Sequence, residues 1–273
     1  MRSARRLRLS NRTRKHATSL DVVGASGMTV TLVRETNAAK NHDELDSRLV
    51  CFLKPDSFEA DQYRMLRYAV ERACPSEGSR VIAITSAMTG EGKTLTAANL
   101  AGTIAKAGQA RVLMIDADLR RPSVAKVLGR AHVHRGWGLV DAILDRRLSL
   151  EQIAWNLEPF NLSVVTPRRS QGDTYELLAC ERFGELIQEA RQRYDTVIID
   201  TSPVLPAPDS RLLAKWIDGY VVVVAADKTP RKLLEETFAL LGPSKIVGLV
   251  FNSESYKNSR YGRYYYKAYT SQP

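Results

Sequence analysis

The run Val81-Ile-Ala-Ile-Thr-Ser-Ala-Met-Thr-Gly-Glu-Gly-Lys-Thr94 constrains this chain more than any other stretch. Four apolar residues in its first five are a buried strand in length and character, and two glycines, a lysine and a threonine follow. The next residues, Leu95-Thr-Ala-Ala-Asn-Leu-Ala-Gly-Thr-Ile-Ala105, read as a helix with apolar or small residues on most turns. Strand, glycine turn, Lys-Thr and helix, in that order, are the parts of a phosphate-binding loop. Gly90 and Gly92 let the backbone curl so that successive N–H groups point inward, and the helix N-terminus adds partial positive charge. In such a loop Lys93 reaches the β- and γ-phosphates and the Thr94 hydroxyl sits on Mg²⁺. The candidate nucleotide-binding residues are therefore Thr89, Gly90, Glu91, Gly92, Lys93, Thr94 and Leu95. The usual spacing G-x-x-x-x-G-K-[ST] puts a glycine at position 87, where this chain has Ala87. The plainer reading is a glycine-rich turn between a strand and a helix.

A chain of 273 residues, 44% of them hydrophobic, can build one large α/β domain or one domain with extensions. The longest apolar runs, such as Tyr220-Val-Val-Val-Val-Ala-Ala226, are strand-sized, and no apolar segment follows the basic N-terminus. A soluble, cytoplasmic protein is expected. Cys51, Cys74 and Cys180 lack metal-type spacing and read as buried or idle thiols of a reducing compartment. His132 and His134 read as surface residues of a loop.

The formal net charge of +10 is unevenly placed. Residues 1–15 hold seven Arg or Lys and residues 257–273 hold four, with no acid in either segment. Setting those eleven charges aside leaves −1 for residues 16–256, so the globular body is near neutral. That argues against a nucleic-acid-binding face, and it suggests that the tails meet something acidic, a lipid surface or another subunit's site.

Residues 1–46 read as a basic, flexible extension with one possible short strand near Thr29–Val33. Arg48-Leu-Val-Cys-Phe-Leu53 reads as an extended lead-in ended by Pro55. Ser57 or Asp56 then caps a helix to about Cys74, with Tyr63, Leu66, Val70 and Ala73 on one face. Asp61, Arg64 and Arg67 step along an adjacent face, which by itself describes a solvated ridge. Strands are expected at Val81–Thr85, Val112–Ile115, Leu162–Thr166, Thr196–Ile199, Tyr220–Ala225 and Ile246–Phe251. Helices are expected at Lys93–Ala107, Ser123–Gly129, Leu139–Leu144, Leu150–Trp155, Tyr175–Tyr194, Arg211–Lys215 and Arg231–Leu241. Apolar strands alternating with helices imply an α/β fold with a parallel sheet of about six to eight strands, covered on both faces. Ligands then bind at the carboxyl ends of the strands.

The motifs sit there. Asp116 and Asp118 end the second strand, where paired acids beside a magnesium nucleotide serve as metal ligands or as a base for an attacking hydroxyl. The alternative is acids that cap a turn or the next helix. Arg120 and Arg121 have two uses in this reading, neutralising phosphate or pairing with those acids. Val197-Ile-Ile-Asp200 has the Walker B pattern, with Asp200 holding Mg²⁺ directly or through water. Asn252 follows the last strand, where an amide can read a purine edge or form a turn. Six of the eleven tyrosines, Tyr256, Tyr261, Tyr264, Tyr265, Tyr266 and Tyr269, fall in the last eighteen residues among Lys, Arg, Ser and Gly. So few aliphatics accompany them that this segment cannot form a core. It is a docking strip, a stacking platform for single strands, or a set of phosphoacceptors on a tether.

Taken together, Thr85-Ser-Ala-Met-Thr-Gly-Glu-Gly-Lys-Thr94, Ile115-Asp-Ala-Asp-Leu-Arg120, Val197-Ile-Ile-Asp-Thr-Ser-Pro203 and the tyrosine cluster resemble the bacterial tyrosine kinases of capsule and exopolysaccharide export. These are P-loop relatives of the partition and division-site ATPases. Ala87 fits a family that keeps mainly the G-E-G-K-[ST] end of the loop, while Met88 stands where partition ATPases carry a second lysine. The resemblance implies ATP and Mg²⁺ as cofactors, with Lys93 on the phosphates and Thr94, Asp118 and Asp200 serving the metal. Asp116 is then the base or shares metal duty with Asp118. It implies a kinase domain over residues 47–255 and a phosphoacceptor tail over 256–273. The family's E-x-x-R-x-x-R helix builds a ring-shaped homo-oligomer, and here the pattern is Asp61-x-x-Arg64-x-x-Arg67, with the shorter carboxylate. Ser202-Pro203 replaces the common Pro-Pro. A separate transmembrane polysaccharide co-polymerase as activator, a cognate tyrosine phosphatase and a place at the inner face of the plasma membrane are implied as well. The expected reaction is autophosphorylation of the tail in trans. The rivals are a partition-type ATPase switch and a nucleotide-gated scaffold. Turnover of ATP without phosphotyrosine marks the first, and nucleotide binding without turnover marks the second.

Overall fold

The computed structural model describes residues 45–74, 78–108, 110–130, 136–168 and 172–252. Among them, seven strands form one sheet: β1 (Arg80–Ser86), β2 (Val112–Asp116), β3 (Trp155–Leu157), β4 (Leu162–Val165), β5 (Thr196–Asp200), β6 (Gly219–Ala225) and β7 (Ile246–Asn252). Their order is β3-β4-β2-β5-β1-β6-β7, and every neighbouring pair is parallel except β3 with β4. The near-continuous apolar strands dictate this arrangement, because both of their faces must be covered. Alternation along each strand then sorts the side chains into two layers. Val81, Ala83, Leu113, Ile115, Val197 and Ile199 enter one core, and Ile82, Ile84, Val112, Met114 and Ile198 enter the other.

The second core is closed by α1 (Val50–Leu53), α2 (Phe58–Ala73), α3 (Lys93–Lys106) and α4 (Val124–Val127). The first is closed by α5 (Leu139–Leu144), α6 (Leu150–Ile153), α7 (Thr174–Ala179), α8 (Glu181–Arg193), α9 (Asp209–Leu212) and α10 (Arg231–Leu241). Small residues let α3 lie deep between the sheet and α1. A Cβ on Gly102 would meet the Phe52 ring at 2.3 Å. None of the described helices is long and apolar enough to cross a membrane.

Most expected elements are present, and the departures have local causes. Residues 50–53 form a helical turn and not an extended lead-in. Leu49, Cys51 and Phe52 are buried against α3, where Asn99 Oδ1 accepts the Cys51 N–H at 3.0 Å and Lys106 Nζ donates to the Cys51 carbonyl at 2.7 Å. The helix expected at Leu150–Trp155 stops at Ile153, and Trp155–Leu157 pairs antiparallel with β4 as an edge strand. The helix expected at Tyr175–Tyr194 is two helices, because Cys180 adopts an extended conformation (φ −70°, ψ 153°) and the chain turns so that Phe183, Leu186, Ile187 and Ala190 face the core. The Arg211–Lys215 helix begins earlier, at Asp209, and tightens to a 3₁₀ turn over Leu213–Lys215. Ser57 caps α2, its hydroxyl accepting the Ala60 N–H at 3.2 Å. Tyr63, Leu66 and Val70 face the core as expected, whereas Ala73 in the last turn is exposed. All three cysteines are free, and burial pushes the Cys51 thiol up to about 11. The strand suggested near Thr29–Val33, His132 and His134 lie outside the described residues.

Candidate functional site

The loop between β1 and α3 leaves the sheet at its carboxyl edge, as the strand-end rule requires. Ala87 is buried, Met88, Thr89 and Gly90 form an exposed tip, and Glu91 turns back into the protein. Gly90 and Gly92 both have left-handed φ, +87° and +96°, which a side chain would strain. The first hydrogen bond of α3 runs from Thr96 N to the Gly92 carbonyl at 3.0 Å, so the N–H groups of residues 92–95 face forward at the positive end of the helix. The Leu95 side chain packs into the core, and its backbone is what it can offer a ligand.

Register brings the acids to this loop. Asp116 on β2 and Asp200 on β5 are paired positions in the sheet. Thr94 Oγ1 donates to Asp200 Oδ2 at 2.6 Å and lies 3.0 Å from Ser123 Oγ. Lys93 Nζ bonds Asp118 Oδ2 at 2.7 Å and sits 3.9 Å from Asp200 Oδ1. The two strand-end acids part company. Asp118 reaches Lys93, whereas both Asp116 oxygens accept backbone N–H groups: Oδ2 those of Ser123 and Val124 at 3.0 Å, Oδ1 that of Asp118 at 3.2 Å. Asp116 thus caps the turn into α4 and ties down the floor of the site. Arg120 pairs with neither acid of its own motif. It forks onto the buried Asp209 at 2.6 and 3.0 Å, which also accepts the Thr174 hydroxyl at 3.3 Å.

Three carboxylates and one ammonium share this buried space, so negative charge is in excess. Burial, helped by Asp200 and Asp118, pushes the Asp116 carboxyl well above its usual range. Burial raises Asp200 to about 6, against the pull of Lys93 and the Thr94 hydroxyl. Burial alone would depress the Lys93 ammonium, and the carboxylates of Asp200, Asp118 and Asp116 outweigh it and hold it above the ordinary value. Asp200 Oδ1 is buried without a hydrogen-bond partner. An orphaned carboxylate oxygen, a second carboxylate and a threonine hydroxyl are hard donors, and a divalent cation such as Mg²⁺ would both satisfy and neutralise them. Among the described residues no three His, Cys, Asp or Glu side chains make a complete cage. A Mg²⁺ site finished by water and phosphate oxygens does not need one.

Asn252, at the end of β7, lies against the loop. Its Nδ2 donates to the Glu91 carbonyl at 2.9 Å, and a Cβ on Gly92 would fall 2.0 Å from that nitrogen. Sequence reasoning missed the other groups gathered here: Ser123, Thr229, which bonds the Glu91 carboxylate, and the Arg120–Asp209 pair. Each meets its partner from a distant part of the chain, and Thr229 before Pro230 has only the look of a helix start.

The ridge on α2 stands apart from this cleft. Arg64 pairs with Asp61 and donates to the Pro55 carbonyl at 2.7 Å, and Arg67 pairs with Glu71 at 2.7 Å. Met65 and Tyr68 beside them are 66% and 57% exposed. The six tail tyrosines, Tyr256 to Tyr269, lie outside the described residues.

Residues 79–230 match the family model described as an AAA domain. The chain is similar to the tyrosine-protein kinase YwqD of Bacillus subtilis, 34% identical over 223 residues, which are 81% of this chain and 92% of YwqD. It is also similar to the succinoglycan biosynthesis transport protein ExoP of Rhizobium meliloti, 30% identical over 84% of this chain, but it spans only 32% of ExoP. Among solved structures, the crystal structure of the chimerical protein CapA2B2 superposes with a TM-score of 0.69 at 27% identity, covering 77% of this chain and 91% of that one.

Proposed function

Because this chain belongs to the bacterial tyrosine-protein kinases, we propose that it is an ATP-dependent autokinase that phosphorylates its own C-terminal tyrosines in trans. The observation that carries this reading is the constellation of Lys93, Thr94, Asp118 and Asp200 in hydrogen-bond contact at the mouth of a glycine loop. Thr89 to Leu95 would wrap the phosphates with backbone N–H groups, and Asn252 would face the base with the amide oxygen that the loop leaves free. Mg²⁺, held by Thr94, Asp200 and Asp118, would supply charge neutralisation at the transferred phosphoryl group. Lys93 would exchange its bond to Asp118 for the phosphates and stabilise the leaving charge. That exchange frees an Asp118 oxygen. Asp118 then serves the metal, while Asp116 is the base for the tyrosine hydroxyl or shares that metal duty, and Asp116→Asn beside Asp118→Asn tells the two apart.

The acceptors would be Tyr256, Tyr261, Tyr264, Tyr265, Tyr266 and Tyr269 of a neighbouring subunit, presented by a ring built through Asp61, Arg64 and Arg67. Four positive charges in residues 257–273 favour entry into an acidic cleft. Each phosphate adds about −1.5 to −2 charges, so two or three cancel that attraction and release the tail. A transmembrane polysaccharide co-polymerase would hold the kinase at the inner face of the plasma membrane, and a phosphatase would reset it. The likeness to ExoP supports a role in exopolysaccharide production.

The test is the intact mass of the full chain after incubation with Mg-ATP, beside Lys93→Met and a deletion of residues 256–273, each repeated with the activator's cytoplasmic segment. Steps of one phosphate that vanish in both variants are expected. Accumulation of ADP with no mass step would overturn the kinase reading in favour of an ATPase switch.

A further inference from the structure

Glu91 is out of place in a loop that must receive polyanions, since a carboxylate beside Gly92 and Lys93 would repel them if it faced them. It does not face them. The residue is 5% exposed, and both of its oxygens are engaged. Oε2 accepts the Met88 N–H at 2.9 Å, and Oε1 accepts the Thr229 hydroxyl. Thr229 Oγ1 in turn accepts the Ala225 N–H at 3.1 Å, which leaves the hydroxyl hydrogen to point at Glu91. A third bond joins Asn252 Nδ2 to the Glu91 carbonyl, and Ala226 N donates to the Asn252 carbonyl at 2.9 Å. The middle of the loop is therefore bolted to the turn after β6 and to the end of β7 by partners 138 and 161 residues away.

We infer that Glu91 and Thr229 are positioning residues for the nucleotide: their hydrogen bond fixes the curl of the loop. The Glu91 carboxylate occupies the Met88 N–H and so directs the N–H groups beyond Gly90 into the anion site. Neither residue touches the reacting atoms. A loop held this way has its binding geometry before ligand arrives, and removing the hold means that each binding event must order it. The inference rests on the nucleotide-binding reading of this site.

The experiment is calorimetric titration of the full chain with Mg-ADP, alongside KM for ATP and kcat. Thr229→Val keeps the side-chain volume and loses the hydroxyl. Mg-ADP binding roughly tenfold weaker and a matching rise in KM are expected, with kcat unchanged. Thr229→Ser should return both to within about twofold of the parent. Glu91→Gln turns an amide NH₂ toward one of the two donors and should show the same loss independently of any folding defect at position 229. A Thr229→Val protein that binds Mg-ADP like the parent, or a Thr229→Ser protein as weak as Thr229→Val, overturns the inference. If the unaltered chain itself fails to bind Mg-ADP, the nucleotide reading falls first and this inference with it.

Discussion

At the mouth of the loop one ammonium lies among three carboxylates, with Lys93 only 8% exposed. On α2, Arg64 and Arg67 have one carboxylate each and their side chains are 51% and 32% exposed. Both regions pair cations with acids, and the surroundings make them opposites. In the cleft the charges do not balance, each is held by a group from another strand or helix, and burial magnifies every mismatch. On α2 the pairs balance locally, at spacings of three and four residues, and water screens them. A site with uncompensated buried charge is unfinished until something arrives. A ridge whose charges are already paired gains nothing from a small ligand, and only another surface could use it. Substitutions in the two regions should therefore differ in size and in kind.

The largest effect belongs to Lys93→Met. It deletes the one cation that the three acids share, so phosphoryl transfer should fall roughly a thousandfold, as when an oxyanion donor is lost. The metal-free protein should also lose about 3–5 kcal/mol in urea unfolding, because the acids are left without their partner. Unchanged stability in that variant would mean that the acids of the cleft do not depend on Lys93 in the folded chain, and the contrast with α2 would collapse.

Asp200→Asn should act in the opposite direction on stability. The folded pKa of about 6 lies above the unfolded value of 3.8, so the folded state holds this proton more tightly than the unfolded state. The metal-free chain is therefore most stable with respect to this group below about pH 4 and loses stability as pH rises through 6. A shift of that size corresponds to about 3 kcal/mol at neutral pH. Asparagine abolishes the loss, so the variant should unfold later than the parent at pH 7.5, with the gap closing toward pH 4. Its kinase activity should nevertheless be gone. Gly92→Ala ranks next. The left-handed φ adds about 1–3 kcal/mol of strain. The new Cβ would also sit 2.0 Å from Asn252 Nδ2 and break the bond to the Glu91 carbonyl. Mg-ADP affinity measures the outcome, and a variant that binds like the parent would show that the loop is not held from β7.

The same contrast explains how much could be read from sequence. Val197-Ile-Ile-Asp200 and Val112-Leu-Met-Ile-Asp116 announce buried strands ending in acids, because covering two faces leaves no room for polar residues. Lys93, Thr94, Asp118 and Asp200 then meet because register and a fixed loop spacing allow little else. What stayed hidden depends on partners that the local pattern does not name. Val50–Leu53 is helical because Asn99 and Lys106 of α3 satisfy its backbone, and an apolar run alone does not separate helix from strand. Trp155–Leu157 is a strand only by pairing with β4. Asp116 read from sequence as a base, a metal ligand or a cap to the next turn, and its two oxygens face backbone amides of residues 118, 123 and 124, as a cap does. Glu91 and Thr229 carry no local signal of their contact.

The smallest effect tests the other half of the comparison. Arg64→Ala removes an exposed ion pair with Asp61 and one bond to the Pro55 carbonyl, and exposed pairs contribute about 0–1 kcal/mol. Monomer unfolding should move by no more than about 0.5 kcal/mol, and Arg67→Ala, which leaves Glu71 in water, should behave alike. If the ridge is where subunits meet, the same two changes should abolish the oligomer in sedimentation velocity and with it phosphorylation of the tail, while Mg-ADP binding stays at the parent value. Lowering salt should strengthen assembly of the parent, because pairs at the edge of such an interface are screened. A variant that assembles normally would leave these arginines as solvated charges. A variant that destabilises the monomer by several kcal/mol would show instead that the ridge supports its own helix, and would remove the distinction between a region that waits for a ligand and one that waits for a neighbour.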